Sequence, residues 1–232
     1  FIAQSLGYEL PVFAHLPYVA EPGSSNKLSK RKLDKYLNHR DFKKLFEHGQ
    51  RIAALISHES SAETFNPVIV DFYRTVGYLA EALVNYLLLL GWSLDDKTEQ
   101  FTRDEMIEHF SLERVNRAPA SFDPLKLWAF QQRSMLAEPI SRRVDLALPF
   151  LEQAKWIVSP ATDEAKARVS QIITAAGDRL KTAGDILDFQ EFFCSDEQLP
   201  LDPKAVKKRP CAAGASEPLA KFRAWLVSVE SF

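Results

Sequence analysis

Cysteine is nearly missing from this chain. Cys194 and Cys211 are its only two, they form no CxxC pair, and neither has a histidine beside it. This excludes a disulfide framework and any recognisable zinc spacing, so no metal ligands are expected and a reducing, cytoplasmic location is. Glycine is scarce too, 8 in 232 residues against 16 phenylalanines. Such a balance favours packed helices over a turn-rich β-architecture. Neither charge sign is in excess: the formal net charge is −2. No overall field therefore draws the molecule to nucleic acid, and any polyanion site must be local. No apolar run is long enough to span a bilayer; the longest, Leu79 to Trp92, is broken by Glu81 and Asn85 and reads as a buried helix. No signal peptide and no membrane partner are expected. The chain begins at Phe1 rather than Met, and its apolar opening to Leu16 carries no helix-start signal. That opening is expected to be a cut through a larger protein.

What remains is 46% hydrophobic and 26% charged, the balance of a globular protein that buries a core; a monomer is expected. Residues 8–20, YELPVFAHLPYVA, combine aromatic and β-branched residues with prolines and read as short strands ending a domain. EPGSSN (21–26) is a turn. From Leu33 the apolar spacing turns helical through LDKYLNHRDFKKLFEHG, with Gly49 as a stop. Asn66-Pro67 opens another segment, and LAEALVNYLLLL (79–90) is the strongest buried helix. Thr102 with Glu105 fits a capping box, in which each side chain satisfies the other's free backbone N–H. Asp123-Pro124 and Ser159-Pro160 each suggest a capped start with proline in the first turn. Trp92, Trp128, Trp156 and Trp225 are expected to anchor helix packing. The stretch 199–218, with Lys204, Lys207, Lys208 and Arg209, is expected to be the least ordered.

The sharpest local feature is Lys27-Leu28-Ser29-Lys30-Arg31-Lys32, which follows the turn and precedes a helix. Between Lys27 and Lys44 stand eight Lys or Arg residues against Asp34 and Asp41, a local +6. Phosphoryl chemistry needs cations that can meet developing negative charge, and such a loop supplies them. A solvated basic loop has the same composition.

The context of the loop carries a resemblance. KLSKR resembles the KMSKS loop of class I aminoacyl-tRNA synthetases, and FAHLPYV before it resembles the segment leading to that loop in bacterial-type glutamyl-tRNA synthetases. Further matches follow in family order. YLAEALVNYLLLLGWS (78–93) is similar to the family's EALxNYLxxLGWS helix, and FTRDEMIEHFSLERVNRAPASFDPLKL (101–127) to its stem-contact segment. DRLKTAGDI (178–186) and DFQEFF (188–193) resemble the start of its anticodon-binding helices.

The resemblance implies a mainly α fold behind a short strand-containing remnant of a class I nucleotide-binding domain. It implies that 1–32 end the catalytic domain, that 33–136 form the stem-contact region, and that 137–232 begin the helical anticodon-binding domain. Residues of roughly 38 to 65 have no counterpart in the connection expected there and read as an inserted helical hairpin. Lys30 would stabilise the phosphates of ATP, with Mg2+, as glutamyl-adenylate forms; Lys27 and Arg31 would assist it or touch tRNA. Ser29 would belong to the same ATP site, and the Tyr18 and Val19 backbone would border the adenine. Lys32 would touch tRNA, and Arg179, in DRLKT, would read the last anticodon base. The implied partners are ATP, glutamate and a glutamate-accepting tRNA. The family's upstream half, with its HIGH motif, is absent, so the chain alone is expected to be inactive and to hold no ATP tightly. Two alternatives stand beside this one. A glutaminyl-tRNA synthetase would bring a β-barrel anticodon region, against the helical spacing seen here. A non-catalytic helical scaffold for protein partners differs only in lacking the ordered motifs.

Overall fold

The computed structural model describes residues 1–59, 61, 64–199, 202–208, 211 and 214–229. As expected, the chain is mainly helical; among the described residues its one sheet is a pair of two-residue strands. In order the elements are α1 (Ile2–Ser5), β1 (Val19–Ala20), α2 (Leu33–Tyr36), α3 (Arg40–Leu55), α4 (Val70–Val76), α5 (Ala80–Leu88), α6 (Arg103–His109), β2 (Ala120–Ser121), α7 (Pro124–Ala137), α8 (Ile140–Gln153), α9 (Asp163–Ala176), α10 (Pro203–Lys208) and α11 (Ser216–Ser228). The chain groups into two compact units, Phe1–Phe189 and Gln190–Phe232. Compactness thus draws one boundary, well after the divisions expected at 32 and 136 on functional grounds.

The first unit is built on α3, α5 and α7. α3 buries Phe42, Leu45, Gly49, Ile52 and Ala53, which recur every three to four residues and so share one face. That face packs on α4 and α7, and α7 also packs on α5. Gly49 does not stop the helix as its position suggested. A Cβ there would lie 2.4 Å from the ring of Phe72 on α4, so glycine is what lets α4 approach. α3 runs on to Leu55, and a glycine stop is found instead at the end of α4, where Gly77, at φ +88°, takes the left-handed conformation that favours glycine.

Buried amides on α5 and α7 hold neighbouring loop and cap backbone. Asn85 on α5 donates to the Glu99 carbonyl at 2.9 Å and accepts from the Phe101 N–H at 2.7 Å. Gln131 on α7 accepts from the Leu79 N–H, at the uncapped start of α5, and donates to the Lys181 carbonyl, both at 2.9 Å. Each amide is satisfied at both ends, which is what makes its burial tolerable.

Several local expectations hold. α5 falls within 79–90, Thr102 and Glu105 close a full capping box, and Asp123 caps α7 with Pro124 in its first turn. Others are corrected. Residues 8–18 adopt no regular structure, and strand reappears at Ala120–Ser121, beyond the N-terminal region where strand was expected. A short helix, α1, occupies the opening that lacked a start signal. α9 starts after Thr162, whose hydroxyl accepts from the Ala165 N–H, and not at Ser159-Pro160. Within 38–65 the described residues form one helix, α3, and residues 60, 62 and 63 of the expected hairpin lie outside them.

In the second unit, α11 stacks Phe222 on Trp225, with centroids 5.7 Å apart, and Trp225 is 52% exposed. Lys204, Lys207 and Lys208 lie on α10, whereas Arg209 and residues 200, 201, 210, 212 and 213 of the 199–218 stretch lie outside the described residues.

Candidate lysine-loop site

β1 runs into a tight turn, and the turn returns the chain alongside itself. The Glu21 N–H donates to the Asn26 carbonyl at 2.7 Å, and the Leu28 N–H donates to the Val19 carbonyl at 2.9 Å. Ala20 and Lys27 form an antiparallel bridge. On its other side β1 pairs in parallel with β2, Val19 opposite Ala120 and Ala20 opposite Ser121. Ser121 Oγ donates to the Glu21 carbonyl at 2.8 Å and accepts from the Gly23 N–H at 3.0 Å. A segment a hundred residues downstream therefore holds the base of the loop.

The loop closes on a buried carboxylate. Glu21 is 2% exposed and would be costly to bury unpaired. Lys35 Nζ meets its Oε2 at 2.5 Å and Lys32 Nζ its Oε1 at 3.1 Å. The Tyr36 hydroxyl donates to Oε1 at 3.3 Å and accepts from the Ser29 N–H at 2.9 Å. The hydrogen bond from Lys35, opposed by burial and aided by Lys32, holds the Glu21 carboxyl below its ordinary pKa. Burial, with the Glu21 charge beside it, pushes the Tyr36 hydroxyl up, so it is neutral and able to donate. On the far side, Asn66, fully buried, donates from Nδ2 to the Lys30 carbonyl at 2.9 Å.

Lys27, Lys30 and Arg31 stand on the outside of this frame, exposed, and among the described residues none pairs with a carboxylate. The loop thus has a tethered backbone and solvated cations, an arrangement suited to a polyphosphate. Lys32 differs: its ammonium is engaged with Glu21. The only carboxylates between Pro17 and Tyr36 are Glu21, already surrounded, and Asp34. This stretch does not itself offer a carboxylate pair for a metal ion. Tyr18 donates its hydroxyl to the Ser25 carbonyl at 3.0 Å. Tyr18 and Val19 also line an apolar cleft with Leu16, Leu87, Trp92 and Phe110.

Arg179 belongs to a different place. It follows α9, in the 3-10 turn Gly177–Arg179, and donates from Nε to the Ala176 carbonyl at 3.2 Å and from Nη2 to the Ala175 carbonyl at 3.0 Å. Its guanidinium also lies 5.7 Å from the centre of the Phe189 ring. These are the contacts of a helix cap. Nearby, Asp185 accepts from the Lys181 and Thr182 N–H groups and meets His48 Nε2 of α3 at 2.6 Å. Burial pushes the Asp185 carboxyl up, but His48 and the two amides outweigh it and hold the group below its ordinary pKa. The Lys181 ammonium lies 5.5 Å from the centre of the Trp128 ring.

Sequence reasoning found the cations of the loop and missed the residues that hold it. In the sequence Glu21 belongs to a turn, Tyr36 to a helical pattern, Asn66 to a start signal and Ser121 to the 101–127 segment, and nothing local links them. The one available signal is a carboxylate six residues before a dense basic run.

Known proteins resemble this chain in sequence and in fold. Residues 63–129 match the family described as tRNA synthetases class I (E and Q), catalytic domain. A glutamate–tRNA ligase of Moorella thermoacetica is 32% identical over the whole of this chain and 40% of its own length. One from Beijerinckia indica is 35% identical over 88% of this chain and 36% of its own. The crystal structure of a glutamate tRNA ligase from Elizabethkingia meningosepticum superimposes with a TM-score of 0.68 at 25% identity, covering 99% of this chain and 41% of that one. The chain spans about two fifths of the length of these relatives. Over the stretch it spans, the chain is similar to the glutamate–tRNA ligases of the class I tRNA synthetases.

Proposed function

We propose that the chain is the part of an ATP-dependent glutamate–tRNA ligase that carries the lysine loop and the helices facing tRNA. In this reading the glutamate carboxylate attacks the α-phosphorus of ATP, pyrophosphate leaves, and the terminal hydroxyl of tRNA then takes the glutamyl group while AMP departs. The observation that carries it is the tethered loop: a backbone fixed on both sides of Lys30 with Lys27, Lys30 and Arg31 exposed. A fixed cation aimed at the phosphates stabilises charge as it develops, with little reorganisation at the moment of reaction.

Within the proposal Lys30 meets the phosphates, Lys27 and Ser29 complete the ATP side, and the cleft beside Tyr18 and Val19 takes the flat adenine. Mg2+ arrives with ATP. Arg31 faces the tRNA backbone, where phosphate contacts supply salt-dependent affinity. Lys32 contributes its stem and its share of local charge while its ammonium holds Glu21. Arg179 is assigned to the last anticodon base on the strength of its DRLKT setting, its cap holding the guanidinium plane. The segments 1–32, 33–136 and 137–232 take the catalytic, stem-contact and anticodon roles in that order, in a monomeric, cytoplasmic enzyme.

The test is aminoacylation by the longer ligase that contains this chain. It should load labelled glutamate onto its tRNA with ATP, and the 232-residue chain by itself should show no glutamate-dependent pyrophosphate exchange. Exchange by the isolated chain, or no charging by the longer protein, contradicts the proposal.

A further inference from the structure

Lys30 is bracketed. The amide just before it, the Ser29 N–H, donates to the Tyr36 hydroxyl, which donates onward to Glu21. The carbonyl of Lys30 itself accepts from Asn66. Two tethers converge on the residues either side of one peptide unit, and each runs to a buried side chain.

Stability alone does not account for this design. Among the described residues only two carboxylates are buried, Glu21 and Asp185. One lysine would neutralise Glu21, yet it holds two, Lys32 and Lys35, both about half exposed and able to be solvated elsewhere. Its third partner, Tyr36, is the one that carries the contact to the Ser29 backbone next to Lys30. A lysine side chain has four flexible carbons, so where its ammonium can act depends first on where its backbone is held. Misplacing a reacting group by an ångström costs up to about a hundredfold in rate.

We propose that Glu21 and Tyr36 form a positioning relay for Lys30, in which the buried carboxylate fixes the hydroxyl and the hydroxyl fixes the loop backbone at Ser29. This rests on the ligase reading above, since it takes Lys30 to be the group that meets ATP. Neither Glu21 nor Tyr36 touches substrate. Both act through Lys30, and their loss should be felt in turnover rather than in ATP affinity.

The experiment is a double-mutant cycle in the intact ligase, read as glutamate-dependent pyrophosphate exchange. Tyr36→Phe keeps the ring and removes the relay; Glu21→Gln keeps the shape and removes the charge. Each should lower kcat by about 10-fold to 100-fold with KM for ATP changed by less than about twofold. In a Lys30→Ala background the same substitutions should add nothing, because a residue acting through Lys30 has no further effect once Lys30 is gone. A purely structural role gives equal losses in both backgrounds, and that result overturns the relay. So does a Tyr36→Phe variant with unchanged kcat. If Glu21→Gln fails to fold, as a thermal melt will show, Tyr36→Phe decides alone. A Lys30→Ala enzyme of wild-type rate removes the ligase reading of the loop itself. An inactive Lys30→Ala enzyme beside a fully active Tyr36→Phe one leaves that reading intact and rejects only the relay.

Discussion

Glu21 has a measurable signature of its own. Its folded pKa lies below that of an unfolded carboxylate, chiefly through Lys35. The ionised form therefore favours the folded state, and its contribution is present above the unfolded pKa and lost as pH falls through the folded one. Thermal melts of the wild type and Glu21→Gln should differ most near neutral pH and converge in acid. Other carboxylates here are also held low, Asp185 and Glu105 among them, so the difference between the two curves, not either curve alone, isolates Glu21. Curves that run parallel from neutral to acid would show that the Lys32 and Lys35 contacts contribute nothing to the fold. At this scale the loop cations were legible in the sequence, because a dense basic run stands out by composition. Their anchors were not. Glu21, Tyr36, Asn66 and Ser121 become neighbours only when β1 pairs with a strand a hundred residues away, and no local spacing encodes that meeting.

Among the elements, α3 shows how a local rule yields to packing. A glycine at the end of an apolar helical pattern ordinarily marks its stop, yet Gly49 sits inside α3 beneath the ring of Phe72. Gly49→Ala would raise helix propensity but place a Cβ within 2.5 Å of two ring atoms. Overpacking should win, with a net loss of about 1–3 kcal/mol seen as a lower melting temperature. A variant as stable as the wild type would mean that α4 can yield, and that Gly49 is not what sets its approach. Capping followed the sequence more closely: the Thr102–Glu105 box and the Asp123 cap are local devices, complete within four residues. α9 starts later than Ser159-Pro160 suggests because Thr162 offers a similar signal three residues on. β2, a two-residue strand, has no periodicity to read.

For the molecule as a whole, the segment without an expected counterpart turns out to be central. α3 supplies a face of the core, packs on α4 and α7, and reaches the 178–189 region through His48 and Asp185. The lysine loop and the DRLKT segment thus sit in one compact unit, Phe1–Phe189. The ordered motifs carried the family reading because they are spread over most of the chain, and relatives aligned along nearly all of it agree. In the proposed ligase this unit presents Lys30 to ATP during glutamate activation. That role is tested most directly by glutamate-dependent pyrophosphate exchange in the intact ligase, comparing Lys30→Ala with the wild type over a range of ATP concentrations. The expected result is a fall in kcat of about 100-fold to 1,000-fold, as for loss of one preorganised charge-stabilising group, with KM for ATP little changed. Unchanged kcat in Lys30→Ala, or a loss confined to KM, would contradict it.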